Sequence, residues 1–111
     1  MNSYRTHTCD ELRLTDAGKQ VTLCGWVDTV RDHGGVIFID LRDCAGKTQV
    51  VFHPEIDAEL AKLAEGLRVE SVIQVNGKVV RRLKTDEVDA TNPDLPTGEI
   101  EVEATAMNIL N

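Results

Sequence analysis

No stretch of this chain limits its fold more than Gly34-Gly35-Val36-Ile37-Phe38-Ile39-Asp40-Leu41-Arg42-Asp43. Read at strand period, Ile37, Ile39 and Leu41 fall on one face, and Val36, Phe38, Asp40 and Arg42 on the other. The first set is a core face. The second sets a Phe between an Asp and an Arg where a wet surface is expected. Folded surfaces are roughly half apolar by area, so a lone exposed Phe is ordinary. A Phe flanked by charge on a sheet is also the form of a base-stacking platform. Both readings stand until the rest of the chain is considered.

The residues before this stretch supply another strand. After an initial segment with a short helical turn over 8–18, Asp16-Ala17-Gly18-Lys19 turns the chain into a run over 21–30 that is apolar on both faces. Val21, Leu23 and Val27 lie on one face, Cys24 and Trp26 on the other, with Gly25 between them. Two buried faces and a central Gly predict a bend shared between two sheets, as at a barrel corner, with Trp26 in the core. Arg31-Asp32-His33-Gly34-Gly35 is then the turn into the second strand, and Cys44-Ala45-Gly46-Lys47 a second tight turn.

In the third strand Val50 and Phe52 take the core face, leaving Gln49, Val51 and His53 beside the Phe38 face. Pro54 ends it. Asp57 can cap a helix reaching about Leu67, whose stripe is Leu60, Leu63, Ala64 and Leu67, with Gly66 weakening its end. A fourth strand over 71–82 puts Ile73, Val75, Gly77 and Val79 inward and Gln74, Asn76, Lys78, Val80 and Arg82 outward. Residues 83–97, with Asn92-Pro93 and Leu95-Pro96, read as a long loop of the kind that carries function or is mobile. The fifth strand, over 98–110, has Ile100, Val102 and Ala104 inside and Glu99, Glu101 and Glu103 outside.

Five strands with one helix between the third and fourth, and a Gly-bent first strand, predict an all-β fold: a five-stranded Greek-key OB-fold barrel forming one domain over residues 1–111. Such barrels bind oligonucleotides across strands 2 and 3, where Phe38 and Gln49 fall. Fold alone leaves open a protein-binding or purely structural barrel.

Charge bears on that choice. The chain carries a net charge of −7 and an estimated pI of 4.8, against the Lys and Arg excess that phosphate contacts favour. Yet the acid is concentrated in the helix over 57–65, in Asp86-Glu87-Val88-Asp89 and in Glu99, Glu101 and Glu103. Non-specific nucleic-acid binding is disfavoured, and a local site is not. Cys9, Cys24 and Cys44 are odd in number and lack a CxxC, and the three histidines stand singly. Neither a zinc site nor a disulfide framework is supported, which fits reduced thiols in the cytoplasm. No run reaches the ~20 apolar residues of a membrane span, and Met1-Asn2-Ser3-Tyr4-Arg5 does not start a signal peptide.

Three segments carry a family resemblance. Val21-Thr22-Leu23-Cys24-Gly25-Trp26-Val27 with the run from Arg31 to Asp43, Gln49-Val50-Val51-Phe52, and Asn92-Pro93-Asp94-Leu95-Pro96-Thr97-Gly98-Glu99-Ile100-Glu101-Val102 resemble the N-terminal anticodon-binding domain of bacterial-type aspartyl-tRNA synthetases. The resemblance runs the length of the chain. It implies a parent class II ligase that uses ATP and Mg2+ in a catalytic domain expected after Asn111. That enzyme would attach aspartate to tRNA(Asp) and would be a homodimer through the catalytic domain. By resemblance, Phe38 stacks on the central anticodon base and Gln49 hydrogen-bonds its edge. Arg31 contacts the anticodon at the rim of the first strand, and Arg68, Arg82, Asn92 and Glu101 add contacts to bases or backbone. Glu101 would accept from a guanine at the first base. His33 stands where forms charging both tRNA(Asp) and tRNA(Asn) often have His and strict forms often have Leu.

Two departures remove binding energy. Asp28-Thr29-Val30 precede Arg31 where the family often has further Arg, and Val51 replaces a second aromatic worth ~1–3 kcal/mol of stacking. Other polar residues have plainer readings. Asp40, Arg42 and Asp43 suit a structural charge cluster at the hairpin turn. His53 suits a solvated strand end, Glu99 and Glu103 a solvent edge, and Arg81 and Lys84 a cover over the loop. No cofactor is expected in the domain itself, nor DNA or a membrane as partner. The competing class is a stand-alone OB-fold module that binds nucleic acid or protein and catalyses nothing.

Overall fold

A computed structural model describes residues 5–83 and 90–110. The outlook for Lys84 and for the acidic run Asp86-Glu87-Val88-Asp89 lies outside the described residues.

The chain forms β1 (Gln20–His33), β2 (Val36–Arg42), β3 (Lys47–Phe52), α1 (Ala58–Glu65), β4 (Val72–Arg81) and β5 (Ile100–Ile109). A single 3-10 turn, Leu14–Asp16, precedes β1. The strands close into a barrel in the order β1-β2-β3-β5-β4, with β3 and β5 parallel and the other pairs antiparallel. This is the expected five-stranded barrel with its helix between the third and fourth strands.

β1 closes the barrel because it is long enough to serve two partners. Its first half, Gln20 to Trp26, pairs with β4, and Trp26 to His33 with β2. The predicted bend is present: a Cβ at Gly25 would collide with the Arg42 carbonyl, so only Gly allows that approach. A register shift between Val27 and Thr29 marks a bulge at Asp28.

The turn before β2 is shorter than the expected five residues, Arg31 to Gly35. Arg31, Asp32 and His33 remain paired, opposite Phe38, Ile37 and Val36, and Gly34-Gly35 alone reverse the chain. Their φ values of 63° and 93° suit a two-residue hairpin loop whose twist matches the strands. The Asp32 carboxylate accepts from the Gly35 N–H at 2.8 Å, so the polar residues secure the hairpin tip instead of breaking the pairing.

Ile37, Ile39, Leu41, Val50, Phe52, Ile73, Val75, Val79, Ile100 and Val102 are all buried in one core, as the period-2 pattern predicts. Trp26 does not join it. The barrel interior takes Val21, Leu23 and Val27, so the opposite side of β1 faces outward and Trp26 is half-buried between Arg42 and Val72. The helix also differs. Asp57 caps it by accepting from the Leu60 N–H at 3.0 Å, but it ends at Glu65, and Ala61 and Ala64 supply its buried face while Leu63 is 49% exposed. Small side chains let this two-turn helix lie close on the barrel.

Candidate nucleic-acid interface

Cross-strand register assembles the outer face of the barrel. One row runs Arg31, Phe38, Val51 and Glu103 across β1, β2, β3 and β5. The adjacent row runs Thr29, Asp40 and Gln49, with Glu101 reached from β5. Alternation alone predicts that these residues share a face. Only pairing makes them neighbours.

A cleft of about 360 Å³ opens on this face, lined by Arg31, His33, Phe38, Gln49, Arg82, Ala90, Thr91 and Asn92. Phe38 is half-buried and outside the core cluster, which favours the platform reading over the packing one. The His33 and Phe38 rings are perpendicular, at 83° with centroids 5.3 Å apart. A base on Phe38 would sit beside Gln49.

Gln49 is 7% exposed and held at both ends of its amide. Arg31 Nη2 donates to Oε1 at 3.0 Å, and Nε2 donates to Glu101 Oε1 at 2.9 Å. Arg has only donors and a carboxylate only acceptors, so the chemistry of the partners settles which way the amide points. Each end keeps one hydrogen-bonding position, an acceptor near Arg31 and a donor near Glu101.

The charged groups are equally constrained. Burial pushes the Glu101 carboxyl above the ordinary Glu value, outweighing the Gln49 hydrogen bond and the attraction of Arg82. Arg82, predicted to point outward, is 5% exposed and lines the cleft together with residues 90–92. Its Nε donates to the Ile100 carbonyl at 2.8 Å, and desolvation lowers its affinity for its proton. Its Nη2 is buried and has no hydrogen-bond partner among the described residues.

The loop is well built from Asn92 onward. The Asn92 N–H donates to the Gly98 carbonyl at 2.8 Å, and its Oδ1 accepts from the Asp94 N–H at 3.0 Å. The Thr97 hydroxyl anchors the loop to the Lys47 carbonyl. A second cleft of about 280 Å³ lies against Thr91, Asn92, Pro93, Leu95 and Glu99.

Of the eight residues singled out from the sequence, Arg31, His33, Phe38, Gln49, Arg82 and Asn92 line one cleft, and Glu101 joins them through Gln49. Arg68 is exposed just after α1 and does not line it. Ala90 and Thr91 carried no signal in the sequence. Asp40, Arg42 and Asp43 do not form one cluster at the turn. Asp40 faces Arg31 at 3.6 Å, Arg42 faces Asp28 at 3.5 Å, and Asp43 alone organises the turn. His53 is paired with Glu103 at 3.4 Å instead of standing free.

Among the described residues, no group of three or more His, Cys, Asp or Glu side chains is placed to hold a metal ion. No helix among them is long and apolar enough to cross a membrane.

The chain is 53% identical over 111 residues to the aspartate–tRNA(Asp/Asn) ligase of Methylacidiphilum infernorum, covering all of this chain and 18% of that protein. It is 54% identical over 110 residues to the ligase of the same name from Rubrobacter xylanophilus, covering 99% of this chain and again 18% of the relative. It thus spans about a fifth of the length of these curated relatives. Asparaginyl-tRNA synthetase from Pyrococcus horikoshii, complexed with asparaginyl-adenylate, superposes with a TM-score of 0.76 at 28% identity, over 95% of this chain and 22% of that one. An OBody bound to hen egg-white lysozyme superposes with a TM-score of 0.78 at 23% identity over 96% of this chain and 94% of its own, a likeness of fold alone. The tRNA anticodon family, described as OB-fold nucleic acid binding domains, matches residues 21–110, and the chain belongs to that family.

Proposed function

We propose that this chain reads the anticodon for an aspartate–tRNA ligase. The observation that carries the reading is the Gln49 amide, clamped by Arg31 and Glu101 beside the Phe38 ring in one cleft. An aromatic platform next to a fixed donor–acceptor edge suits an unstacked base of a single-stranded loop, the form in which RNA sequence is usually read. The relatives' names add the substrate class: tRNA(Asp) and, with His33 at the cleft, tRNA(Asn). Neutral imidazole offers a donor and an acceptor and could serve either cytosine or uracil at the third anticodon base.

On this reading the parent enzyme is a homodimeric class II ligase, cytoplasmic, whose ATP and Mg2+ act in a catalytic portion beyond this chain. The domain's own part is to bind and orient the anticodon loop. The paired charges at the site, Arg31 with Asp40 and Arg82 beside Glu101, leave little net positive potential, so binding should be modest and selective, with little non-specific attraction. The test is a titration of the chain with a synthetic aspartate anticodon stem-loop and a base-scrambled control. Saturable binding of the first with little of the second is expected. Equal binding of both would defeat the reading.

A further inference from the structure

The clamp on Gln49 extends past the residues that face the cleft. Thr29 Oγ1 donates to Asp40 Oδ2 at 2.6 Å, and Asp40 Oδ1 lies 3.6 Å from Arg31 Nη2. That same nitrogen donates to Gln49 Oε1. The side chains of Thr29, Asp40, Arg31, Gln49 and Glu101 therefore form one continuous polar chain across β1, β2, β3 and β5. Neither Thr29 nor Asp40 lines the cleft. Asp40 has a side chain only 14% exposed, while that of Arg31 is 46% exposed and has no other acidic partner among the described ion pairs. A long, half-exposed Arg samples many rotamers unless something fixes it.

We infer that Asp40, held in place by Thr29, is a positioning residue for base selection: it fixes Arg31, and through Arg31 the direction in which the Gln49 amide is presented. The inference rests on the anticodon-reading proposal and deepens it. Direction matters because uracil and cytosine present opposite orders at the N3–C4 edge. Uracil offers N3–H as donor and O4 as acceptor, whereas cytosine offers N3 as acceptor and its 4-amino group as donor. An amide free to flip can satisfy either base. One held with its acceptor at Arg31 and its donor at Glu101 cannot serve both in a single pose on Phe38. The Thr29–Asp40 pair thus converts a permissive side chain into a selective one, with no contact to the ligand.

Two variants test this, Asp40→Asn and Thr29→Val, the second being close to isosteric and well suited to a strand. Each is titrated with stem-loops carrying uracil or cytosine at the central anticodon base, and the Gln49 side-chain amide is followed by NMR in the free protein. Both variants are expected to lower the uracil-over-cytosine ratio, Asp40→Asn by about fivefold. Thr29→Val should lower it less, and Thr29→Ser should restore it. The Gln49 amide signals should broaden or shift in step. An unchanged ratio in Thr29→Val and in a folded Asp40→Asn would overturn the inference, as would equal losses for both bases. Should Asp40→Asn not fold, Thr29→Val decides alone. Absence of base preference in the unmodified chain would instead defeat the anticodon reading itself.

Discussion

Two carboxylates on this barrel show how the same side-chain chemistry diverges with the donors that surround it. Asp43, at the β2–β3 turn, is fully engaged. It accepts from the backbone N–H groups of Cys9 at 2.9 Å, Ala45 at 2.8 Å and Gly46 at 3.0 Å, with Arg5 at 3.5 Å. Burial alone would raise its pKa, but these backbone bonds prevail and hold the carboxyl below the ordinary Asp range. Glu101 is the reverse. Burial prevails over the Gln49 amide, the nearby Arg82 and the weaker pull of His53. A carboxylate surrounded by N–H groups fastens the chain to itself. One left short of donors keeps capacity for something else.

The largest effect that can break this contrast is Asp43→Ala. It would orphan three N–H groups and release the segment around Cys9 from the turn, costing about 3 kcal/mol in denaturant unfolding. The base preference of stem-loop binding should be unchanged, and a loss of preference would merge the two regions into one functional unit.

Phe38→Ala tests the other region. Removal of the platform should weaken anticodon stem-loop binding by ~1–3 kcal/mol while leaving the cooperative melt intact, because Phe38 lies outside the core cluster. Loss of the cooperative melt would make Phe38 a core residue. Gln49→Ala should then cost about 1 kcal/mol of preference between uracil and cytosine at the central base, more than it costs in overall affinity. Equal losses for both bases would remove its reading role. A smaller change is expected from His33→Leu. In a full-length ligase carrying this domain, it should depress charging of tRNA(Asn) relative to tRNA(Asp) by roughly threefold. No initial charging of tRNA(Asn) would remove the basis for that role.

Acid titration sharpens the comparison most finely. The folded pKa of Asp43 is depressed, so its contribution is present above the ordinary value of 3.8 and is lost as pH falls through the folded value. The folded pKa of Glu101 is raised, so the folded state favours its protonated form. That contribution is present below 4.5 and lost as pH rises through the folded value. Glu101→Gln should therefore melt at or above the temperature of the unmodified chain at neutral pH, with the difference narrowing toward pH 4.5. A variant less stable at neutral pH would show that the charge supports the fold.

Much of this was legible in the sequence, and for local reasons. The alternation of β2, β3 and β5, the cap at Asp57 and the bend at Gly25 each depend on residues a few positions apart. A resemblance over the whole chain singled out most of the cleft. What the sequence did not disclose depends on which element covers which. Trp26 is apolar enough for a core, but Val21, Leu23 and Val27 on the other side of β1 fill the barrel interior. The helix buries Ala61 and Ala64, with Leu63 exposed, because close approach to the barrel favours small side chains.

The sequence by itself determined the strand period, the turn glycines, the outward face of Phe38 and the family to which the chain belongs. Tertiary structure alone decided that Arg82 is buried, its Nη2 without a partner among the described residues, that Asp40 pairs with Arg31 instead of holding the turn, and that Arg68 stands away from the cleft. Periodicity reports which way a side chain leaves its own strand. Register, barrel closure and the loop over 90–92 determine what meets it there, and those are relations between residues far apart in the chain.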